Sequence, residues 1–307
     1  MCCPTHRPKF SHVLVVIGMW TFVIIGVLVS LALWLVWVRQ KDQFTLKEIP
    51  KIIWTFWDSD TPPEFVQNSL DNWKRYSPDF EIKLVTPSNI GEYLPGIDFI
   101  KFKHTNFIQR VSDFVRVHLI AKYGGIWSDA SVVVKRSHNW IIDEQKSKGF
   151  EVFIYRNDRD QTNPNHPVLA NWFFASVPNS KFIREWRDEF NRTQDFDTID
   201  DYISDIKAKG VDTQRIPDLG YLTQDVAAQV VVQTKMTPED MKTIYTLNSE
   251  DGPYKHSHSN GWDPSKSVKS LCDTPGHELP DLIKVYGKER RAIEADDSLK
   301  CSYKIFD

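Results

Sequence analysis

The sequence predicts an α/β domain, because segments with strand character alternate along the chain with amphipathic segments that have helical spacing. Hydrophobic residues make up 41% of the 307 residues and aromatic residues 13%, which is enough for a large core. The formal net charge of -3 gives no reason to expect a nucleic-acid partner. About 260 residues follow an apolar N-terminal segment, and that length fits a single domain.

The first half of the domain opens with a strand at residues 51–57, rich in β-branched and aromatic side chains. A helix at residues 64–76 follows Pro62 and Pro63, and a second strand follows at residues 81–85. Beyond a central segment, the predicted elements are a strand at 151–155, helices at 181–191 and 225–233, and a variable piece at 195–215.

The central segment begins with a helix predicted at residues 107–122. Thr105 or Asn106 can cap its start, and Gly124 can end it in a left-handed conformation. Its apolar positions recur at three- and four-residue steps and are Phe107, Ile108, Val111, Phe114, Val115, Leu119 and Ile120. This spacing gives the helix one buried face.

Three charged residues, Arg110, Asp113 and Arg116, lie along one stripe of this helix because they are spaced by three residues. Two interpretations are open for such a triplet. It is a solvated ladder of salt bridges, or it is part of a polar site whose charges face a ligand. The segment that follows the helix favours the second interpretation.

Polar residues interrupt a strand predicted at residues 126–134, where Ser128, Asp129 and Ser131 stand between β-branched side chains. Burying such groups costs free energy unless they are paired or lie at an open strand end. Open α/β sheets bind ligands at the carboxyl ends of strands, where an Asp can meet a metal ion or a sugar hydroxyl. Asp129 is therefore the leading candidate for the site, and the alternative is that it begins a turn.

Four blocks in this order carry a resemblance to a known family. The central block reads SDFVR at 112–116, LIAKYGGIW at 119–127 and SDAS at 128–131. The others are IPKIIWTFW at 49–57, HPVLANWFFASVPNSKFIREW at 166–186 and LPDLIKVYGKERR at 279–291. Together they resemble the capsular polysaccharide synthesis proteins and the related family 32 glycosyltransferases. Trp54 stands where those proteins usually have a His.

This resemblance implies a GT-A-like, Rossmann-type nucleotide-sugar-binding domain at residues 49–307. It implies a nucleotide-diphosphate sugar as donor, a glycan or glycoconjugate as acceptor, and a divalent cation. Trp57 would stack on the donor base, while Asp113 and Arg116 would hold ribose and sugar hydroxyls. Asp129 would be the first Asp of a DxD motif and the catalytic and metal-binding residue. The alternative for Trp57 is an ordinary core or rim aromatic.

The second carboxylate of the DxD motif is replaced by Ser131, which also belongs to the implied donor site. Serine adds no charge, so binding of Mn²⁺ or Mg²⁺ is in doubt unless another ligand helps. Candidates for that ligand are His256, His258, His277, Asp263 and Asp225.

Positive charge for the departing diphosphate can come from the C-terminal block, where the resemblance places Lys284, Lys288, Arg290 and Arg291 near the active site. The alternative is a solvated basic helix or turn. In the same way, Asn171, Trp172 and Phe173 border the acceptor cleft of the relatives, with core packing as the alternative for the two aromatic residues.

A membrane anchor is predicted at residues 13–38, which carry no charge and are long enough to cross a bilayer. A tail at residues 1–12 precedes it and a polar stem at 39–48 follows. Flanking charges do not settle the orientation. The layout is that of a type II Golgi transferase, whereas a bacterial protein of this kind would keep its domain at the cytoplasmic face.

The four cysteines fall into two pairs. Cys2 and Cys3 lie beside the anchor, where S-acylation and incidental occurrence are both open. Cys272 and Cys301 can form one disulfide if the domain is lumenal, although sequence alone does not bring them within reach.

The expected function is that of a membrane-anchored glycosyltransferase, which transfers a sugar to a glycan hydroxyl with retention of configuration. The alternative is a non-catalytic, membrane-anchored protein of the same fold that binds a nucleotide sugar or a glycan. A metal-dependent hydrolase needs a denser cluster of carboxylates and histidines than this chain shows.

Overall fold

The computed structural model describes residues 28–31, 33–34, 47–105 and 107–307. The chain divides into two compact units, residues 1–46 and 47–307. In the first unit, residues 28–31 and 33–34 are helical. Most of the predicted anchor, with its tail and most of its stem, lies outside the described residues. None of the helices in the described ranges is both long and apolar enough to cross a bilayer.

Residues 47–307 are built on two β-sheets. The larger sheet has six strands in the order β2-β1-β3-β6-β5-β7, and β4 pairs with β8 in a second sheet. The strands are β1 (Ile52–Phe56), β2 (Glu81–Val85), β3 (Gly125–Ser128), β4 (Val132–Val134), β5 (Val152–Arg156), β6 (Leu169–Ser176), β7 (Ile244–Asn248) and β8 (Leu282–Lys284).

The six-stranded sheet is mixed. Strand β1 lies parallel to both β2 and β3, and β5 lies parallel to β7. Strand β6 runs antiparallel to both β3 and β5. The predicted α/β class is therefore confirmed.

Eleven helices are present in the described part of the second unit, besides short 3-10 segments. They are α1 (Glu64–Tyr76), α2 (Ile90–Tyr93), α3 (Ile108–Tyr123), α4 (Asn139–Lys148), α5 (Lys181–Asn191), α6 (Ile199–Ala208), α7 (Thr223–Thr234), α8 (Pro238–Met241), α9 (Lys255–Ser259), α10 (Pro264–Asp273) and α11 (Gly287–Ala295).

Both faces of the central sheet are covered. Trp127 and Phe174 point to a core shared with helices α3, α5 and α7. Their neighbours Ile126 and Phe173 point to the opposite core, shared with α1 and α4. Neighbouring side chains of a strand face opposite ways, so strands buried on both faces read as continuous apolar runs.

Most of the predicted elements are confirmed, and three (64–76, 81–85 and 181–191) have the predicted bounds. The single strand predicted at 126–134 is wrong, because the chain turns at Asp129 and passes from β3 in one sheet to β4 in the other. The variable piece at 195–215 contains helix α6, which begins with a capping box at Thr198.

The start and the end of α3 differ in how well they were predicted. Phe107 precedes the helix in an extended conformation, so the predicted cap at Thr105 is wrong, while Asn106 lies outside the described residues. The predicted end at Gly124 is confirmed, with a φ of 66°. A Cβ at Gly124 would lie 2.7 Å from backbone atoms of Ser176 and Pro178. Glycine is therefore required where α3 meets the end of β6.

Side chains of α1 hold strand β4 in place. The Nδ2 group of Asn72 donates to the carbonyl of Val134 at 3.0 Å, and its Oδ1 accepts from the Val134 N–H at 2.8 Å. The indole N–H of Trp73 donates to the carbonyl of Val132 at 2.8 Å. These bonds fix the strand that directly follows Asp129 and Ser131.

Replacing Asn72 with Ala should lower the free energy of unfolding by about 2–4 kcal/mol, because two buried backbone groups of Val134 lose their partners. Gln67→Ala on the exposed face of the same helix is the matched control and should change stability little. Urea unfolding of the two variants measures the difference. Equal stabilities would show that Asn72 does not hold β4.

The C-terminal part packs around the second sheet. Val133, Ile283, Val268, Ile293 and other apolar side chains of β4, β8 and the last helices form a third core cluster. Cys272 and Cys301 are joined by a disulfide with a Cα–Cα distance of 5.2 Å. The pairing that the sequence left open is therefore present in the structure.

Peptide mapping of the non-reduced protein should recover Cys272 and Cys301 in one linked species. Since the bond closes a loop with a sequence separation of 29, a Cys272→Ser/Cys301→Ser variant should lose about 3 kcal/mol of stability. A Cys2→Ser/Cys3→Ser variant is the control and should keep the stability of the parent. Free thiols at both C-terminal positions before reduction would contradict the assignment.

Candidate active site

The site lies where β3 ends. The N–H of Asp129 still bonds to the carbonyl of Trp172 on β6, at 2.9 Å, as a continuation of the strand. The carbonyl of Asp129 accepts from the N–H of Val132 at 3.0 Å and closes a turn. Asp129 thus follows the strand, as predicted, and also begins a turn, as the alternative predicted.

The Asp129 carboxylate lies between two cations. Its Oδ2 accepts from Nζ of Lys284 at 2.7 Å, and its Oδ1 lies 3.3 Å from Nη2 of Arg116. Its Oδ1 also accepts from the indole N–H of Trp127 at 3.1 Å. Burial opposes ionisation, but Lys284 and Arg116 outweigh it and lower the pKa of Asp129 below its ordinary value. The group is therefore a carboxylate at neutral pH.

Arg116 is held on several sides. Its Nη1 lies 3.2 Å from the Asp113 carboxylate and donates to the carbonyl of Asn171 at 3.1 Å and to Gln224 at 3.3 Å. The guanidinium also lies over the ring of Trp127, 5.1 Å from its centroid. Since a planar guanidinium offers its donors in fixed directions, these contacts determine where it faces Asp129.

Asp113 is buried behind Arg116. Burial raises its pKa to about 6, although Arg116 and Arg110 oppose that shift. Arg110 is also buried, with 1% of its surface exposed, and donates to the carbonyl of Gly220. All three charges of the helical triplet are buried, so the interpretation as a solvated ladder is wrong.

An open depression of about 350 Å³ lies at the start of α3. Arg110 contributes to its lining, together with His104, Phe107, Asp197, Thr198, Ile199 and Gly220. The Arg110 guanidinium lies over the rings of Phe107 and Phe190, at 5.2 and 5.8 Å from their centroids. Arg110 is therefore packed against two aromatic rings near the start of α3, one turn before Asp113.

Ser131 and Lys284 meet through the pairing of β4 with β8. Lys284 lies opposite Val132, and the N–H of Val285 donates to the carbonyl of Ser131 at 3.1 Å. Nζ of Lys284 donates to Oγ of Ser131 at 3.1 Å. Burial lowers the pKa of Lys284, and the neighbouring Asp129 carboxylate opposes that shift.

The other predicted donor residues lie in different surroundings. Trp57 follows β1, is half-buried, and has the guanidinium of Arg290 over its ring at 5.0 Å from the centroid. Arg290 also pairs with Glu294 at 2.9 Å. Lys288 and Arg291 are exposed on the same helix, α11. Of the predicted basic group, only Lys284 contacts Asp129 within the described ranges.

The candidate extra metal ligands do not gather around Asp129. His256 contacts Glu289 at 3.3 Å, and Asp263 caps helix α10 by accepting from the N–H of Lys266. His258 and His277 are exposed. The described part of the chain holds no cluster of three His, Cys, Asp or Glu side chains suited to a metal ion.

Asp225 is buried at the start of α7, and its Oδ1 has no hydrogen-bond partner. Burial raises its pKa well above the ordinary value, and the nearby Asp113 carboxylate adds to the shift. Burial and the nearby Asp113 carboxylate therefore both disfavour the charged form of Asp225, the form that a cation would need.

Gln224 is a site residue that sequence reasoning missed. Its amide N–H donates to the carbonyl of Asp113 at 2.7 Å, and its Oε1 accepts from Asn171 at 2.9 Å as well as from Arg116. Asn171 in turn donates to the Asp113 carboxylate at 3.3 Å. No spacing signal could reveal Gln224, because 108 residues separate it from Arg116.

Trp172 and Phe173 are buried in the core, which confirms the packing interpretation for both. Trp172 stacks on Tyr155 with ring centroids 5.1 Å apart. It also borders the site, because Nζ of Lys284 lies over its ring at 5.9 Å from the centroid. One aromatic side chain therefore serves both the core and the wall of the site.

Solved structures offer distant likenesses. A galactosyltransferase, LgtC, in complex with donor and acceptor sugar analogs is 13% identical, with 77% of this chain and 87% of that chain covered and a TM-score of 0.39. Mouse xyloside xylosyltransferase 1 is 8% identical, with 76% and 96% covered and a TM-score of 0.40. At such TM-scores neither likeness carries an argument about this chain.

Two curated fungal proteins are similar in sequence. An O-glycosyltransferase, braB, of Annulohypoxylon truncatum is 27% identical over 178 residues, which cover 52% of this chain and 40% of the relative. A glycosyltransferase, afumC, of Aspergillus fumigatus is 24% identical over 160 residues, which cover 47% and 40%. This chain thus matches well under two thirds of the length of either relative.

The family comparison covers the site directly. The sequence model described as "Capsular polysaccharide synthesis protein" matches residues 38–204. That range includes Trp57, Asp113, Arg116, Asp129 and Ser131, and it amounts to more than half of the 307 residues. The chain belongs to the capsular polysaccharide synthesis protein family.

Proposed function

We propose that this protein is a glycosyltransferase that moves a sugar from a nucleotide-diphosphate donor to a hydroxyl of a glycan or glycoconjugate. The fold that we propose for residues 49–307 is GT-A-like. Family membership supports this activity, as do the relatives that are named glycosyltransferases. Asp113, Arg116, Asp129, Ser131 and Lys284, which the resemblance implies, lie close together in the structure and support the proposal.

A buried chain of alternating charges carries the proposal: Asp113, Arg116, Asp129 and Lys284 lie in contact, in that order, at the carboxyl end of β3. Ligands of open α/β sheets bind at such strand ends. Preorganised charges in a partly buried site stabilise the charge that develops on a leaving group. Transfer of a sugar from a diphosphate creates such a charge.

The proposed roles follow from the chemistry of each side chain. The indole of Trp57 offers a flat face to the donor base, and Asp113 with Arg116 orients ribose and sugar hydroxyls. Asp129 faces the reacting sugar, since its side chain is 25% exposed while those of Arg116 and Lys284 are 6% exposed. Lys284 lies on the side of the diphosphate.

The divalent cation implied by the resemblance would be held by Asp129. The surroundings of Asp129 fit such an ion poorly, because both carboxylate oxygens already face cations. Two unit charges 4 Å apart in protein surroundings interact by about 4 kcal/mol, and a dication would be repelled about twice as strongly by Lys284. Ser131, the second position of the motif, supplies no compensating charge.

Membrane anchoring and a type II arrangement in the Golgi are also part of the proposal. The apolar segment at residues 13–38 supports an anchor, and Leu28, Leu31, Leu33 and Trp34 within it are exposed apolar side chains. The disulfide between Cys272 and Cys301 supports a domain on the oxidising, lumenal side of the membrane. A bacterial protein with its domain at the cytoplasmic face is the alternative.

The full chain, incubated with a panel of nucleotide sugars and glycan acceptors, should release nucleotide from one donor and form a glycoside. Asp129→Asn should reduce this turnover by ~10²-fold or more, because the charge that orients Arg116 and Lys284 is lost. Asp71→Asn, an exposed carboxylate on α1, is the control and should retain full activity. The anomeric configuration of the product, read by NMR, should equal that of the donor.

Binding of nucleotide without release of sugar from any donor would support the alternative of a non-catalytic binding protein. Full activity of Asp129→Asn would show that turnover does not need the Asp129 carboxylate. An inverted product would overturn retention alone and leave the transferase activity standing.

In a eukaryotic cell, the full chain should stay in the membrane fraction at alkaline pH, and its domain should resist protease until detergent opens the vesicles. A variant that lacks residues 1–38 is the control and should leave the membrane fraction. Digestion of the domain in intact vesicles would indicate the cytoplasmic orientation instead. Release of the full chain by alkali would argue against the anchor.

A further inference from the structure

The ammonium group of Lys284 lies between the two side chains that the DxD resemblance assigns to cation binding. Its Nζ donates to Oδ2 of Asp129 at 2.7 Å and to Oγ of Ser131 at 3.1 Å. A metal ion bridging the first and third positions of the motif would need the same oxygens. The positively charged ammonium of Lys284 therefore occupies the position that a metal ion would need.

The fold builds this position rather than leaving it to a mobile surface lysine. Lys284 pairs with Val132 across the second sheet, and its N–H donates to the carbonyl of Pro253 at 3.0 Å. Its side chain is 6% exposed and lies against Trp172. Backbone and side chain of Lys284 are therefore both held, each by its own contacts.

The remaining oxygen of Asp129 is also engaged. Oδ1 accepts from the indole of Trp127 and faces the guanidinium of Arg116. A divalent ion prefers several oxygen ligands and would meet two fixed positive charges here. The donor set present at this site fits an ammonium better than a divalent metal.

We propose that Lys284 is the built-in cation of this active site and that donor binding and transfer proceed without a divalent metal. This inference rests on the proposed glycosyltransferase function. An ammonium has three N–H groups, and two of those of Lys284 bond to Asp129 and Ser131. The third is the donor for an oxygen of the diphosphate.

The proposed transfer breaks one bond and forms another, and neither change needs a metal ion. The bond between the anomeric carbon and the diphosphate oxygen breaks, and both of its electrons stay with the diphosphate. A bond forms between the anomeric carbon and the acceptor hydroxyl oxygen, whose proton passes to water. Lys284 stays protonated throughout and stabilises the negative charge that gathers on the diphosphate.

The test is binding of UDP and GDP to the full chain by calorimetry, in EDTA and in Mn²⁺, with turnover of the active donor measured alongside. The parent protein should bind one of these two nucleotides, and its affinity should be similar in EDTA and in Mn²⁺. Lys284→Met should weaken binding by about tenfold or more, because the charge is lost while an unbranched side chain only one atom shorter is kept. The exposed Lys269→Met is the matched control and should bind like the parent.

A second variant tests the place of the cation directly. Ser131→Asp with Lys284→Ala restores two carboxylates and removes the ammonium, so this protein should bind Mn²⁺, as measured by electron paramagnetic resonance. It should also bind nucleotide more tightly in Mn²⁺ than in EDTA. The parent should bind no Mn²⁺ at this site. Circular dichroism of each variant checks folding, and Lys284→Gln, which also removes the charge, serves if Lys284→Met does not fold.

The outcomes separate this inference from the function on which it rests. Turnover or nucleotide binding by the parent that requires Mn²⁺ would overturn the inference and leave the glycosyltransferase standing. EDTA-resistant nucleotide binding that depends on Lys284, without turnover of any donor, would support Lys284 as the built-in cation. It would contradict the proposed transferase activity. Absence of nucleotide binding in every condition would overturn both.

Discussion

The carboxylate of Asp129, held between two cations from different parts of the chain, is the contact on which the site depends. Arg116 reaches it from helix α3 and Lys284 reaches it from strand β8. Removal of one partner from a buried ion pair leaves the other charge uncompensated, and this costs far more than the intact pair contributes. Asp129 thereby couples the helical layer, the central sheet and the second sheet.

The position of this carboxylate follows from the junction of the two sheets. Strand β3 ends at Ser128 and β4 begins at Val132, so residues 129–131 leave one ladder before they enter the other. Polar side chains are tolerated there because each finds a partner across the junction. Asn72 and Trp73 bind the backbone on the far side of the turn, which fixes its direction. Because the turn at residues 129–131 is held at both ends, the charged side chain of Asp129 is fixed in position.

The sequence predicted the local elements well and the long-range partners less well. Helical spacing and a glycine stop located α3, and the polar interruption located Asp129, because both signals lie within a few neighbouring residues. The same pattern concealed the break between β3 and β4, since β-branched residues on both sides read as one strand. Resemblance singled out Lys284, but no spacing reveals its contact with Asp129 across 155 residues. Gln224 carried no local signal at all.

Charge balance explains why Ser131 and Lys284 occur together. Two carboxylates with a divalent ion sum to zero, and one carboxylate with one ammonium also sums to zero, while Asp113 and Arg116 neutralise each other. A second carboxylate at position 131 beside Lys284 would leave an excess negative charge in a buried place, which is costly. A serine instead gives the ammonium an acceptor without adding charge. A residue in the C-terminal block thus supplies positive charge where the resemblance implies a second carboxylate with a metal ion, and the charges of Asp113, Arg116, Asp129 and Lys284 sum to zero before a diphosphate binds.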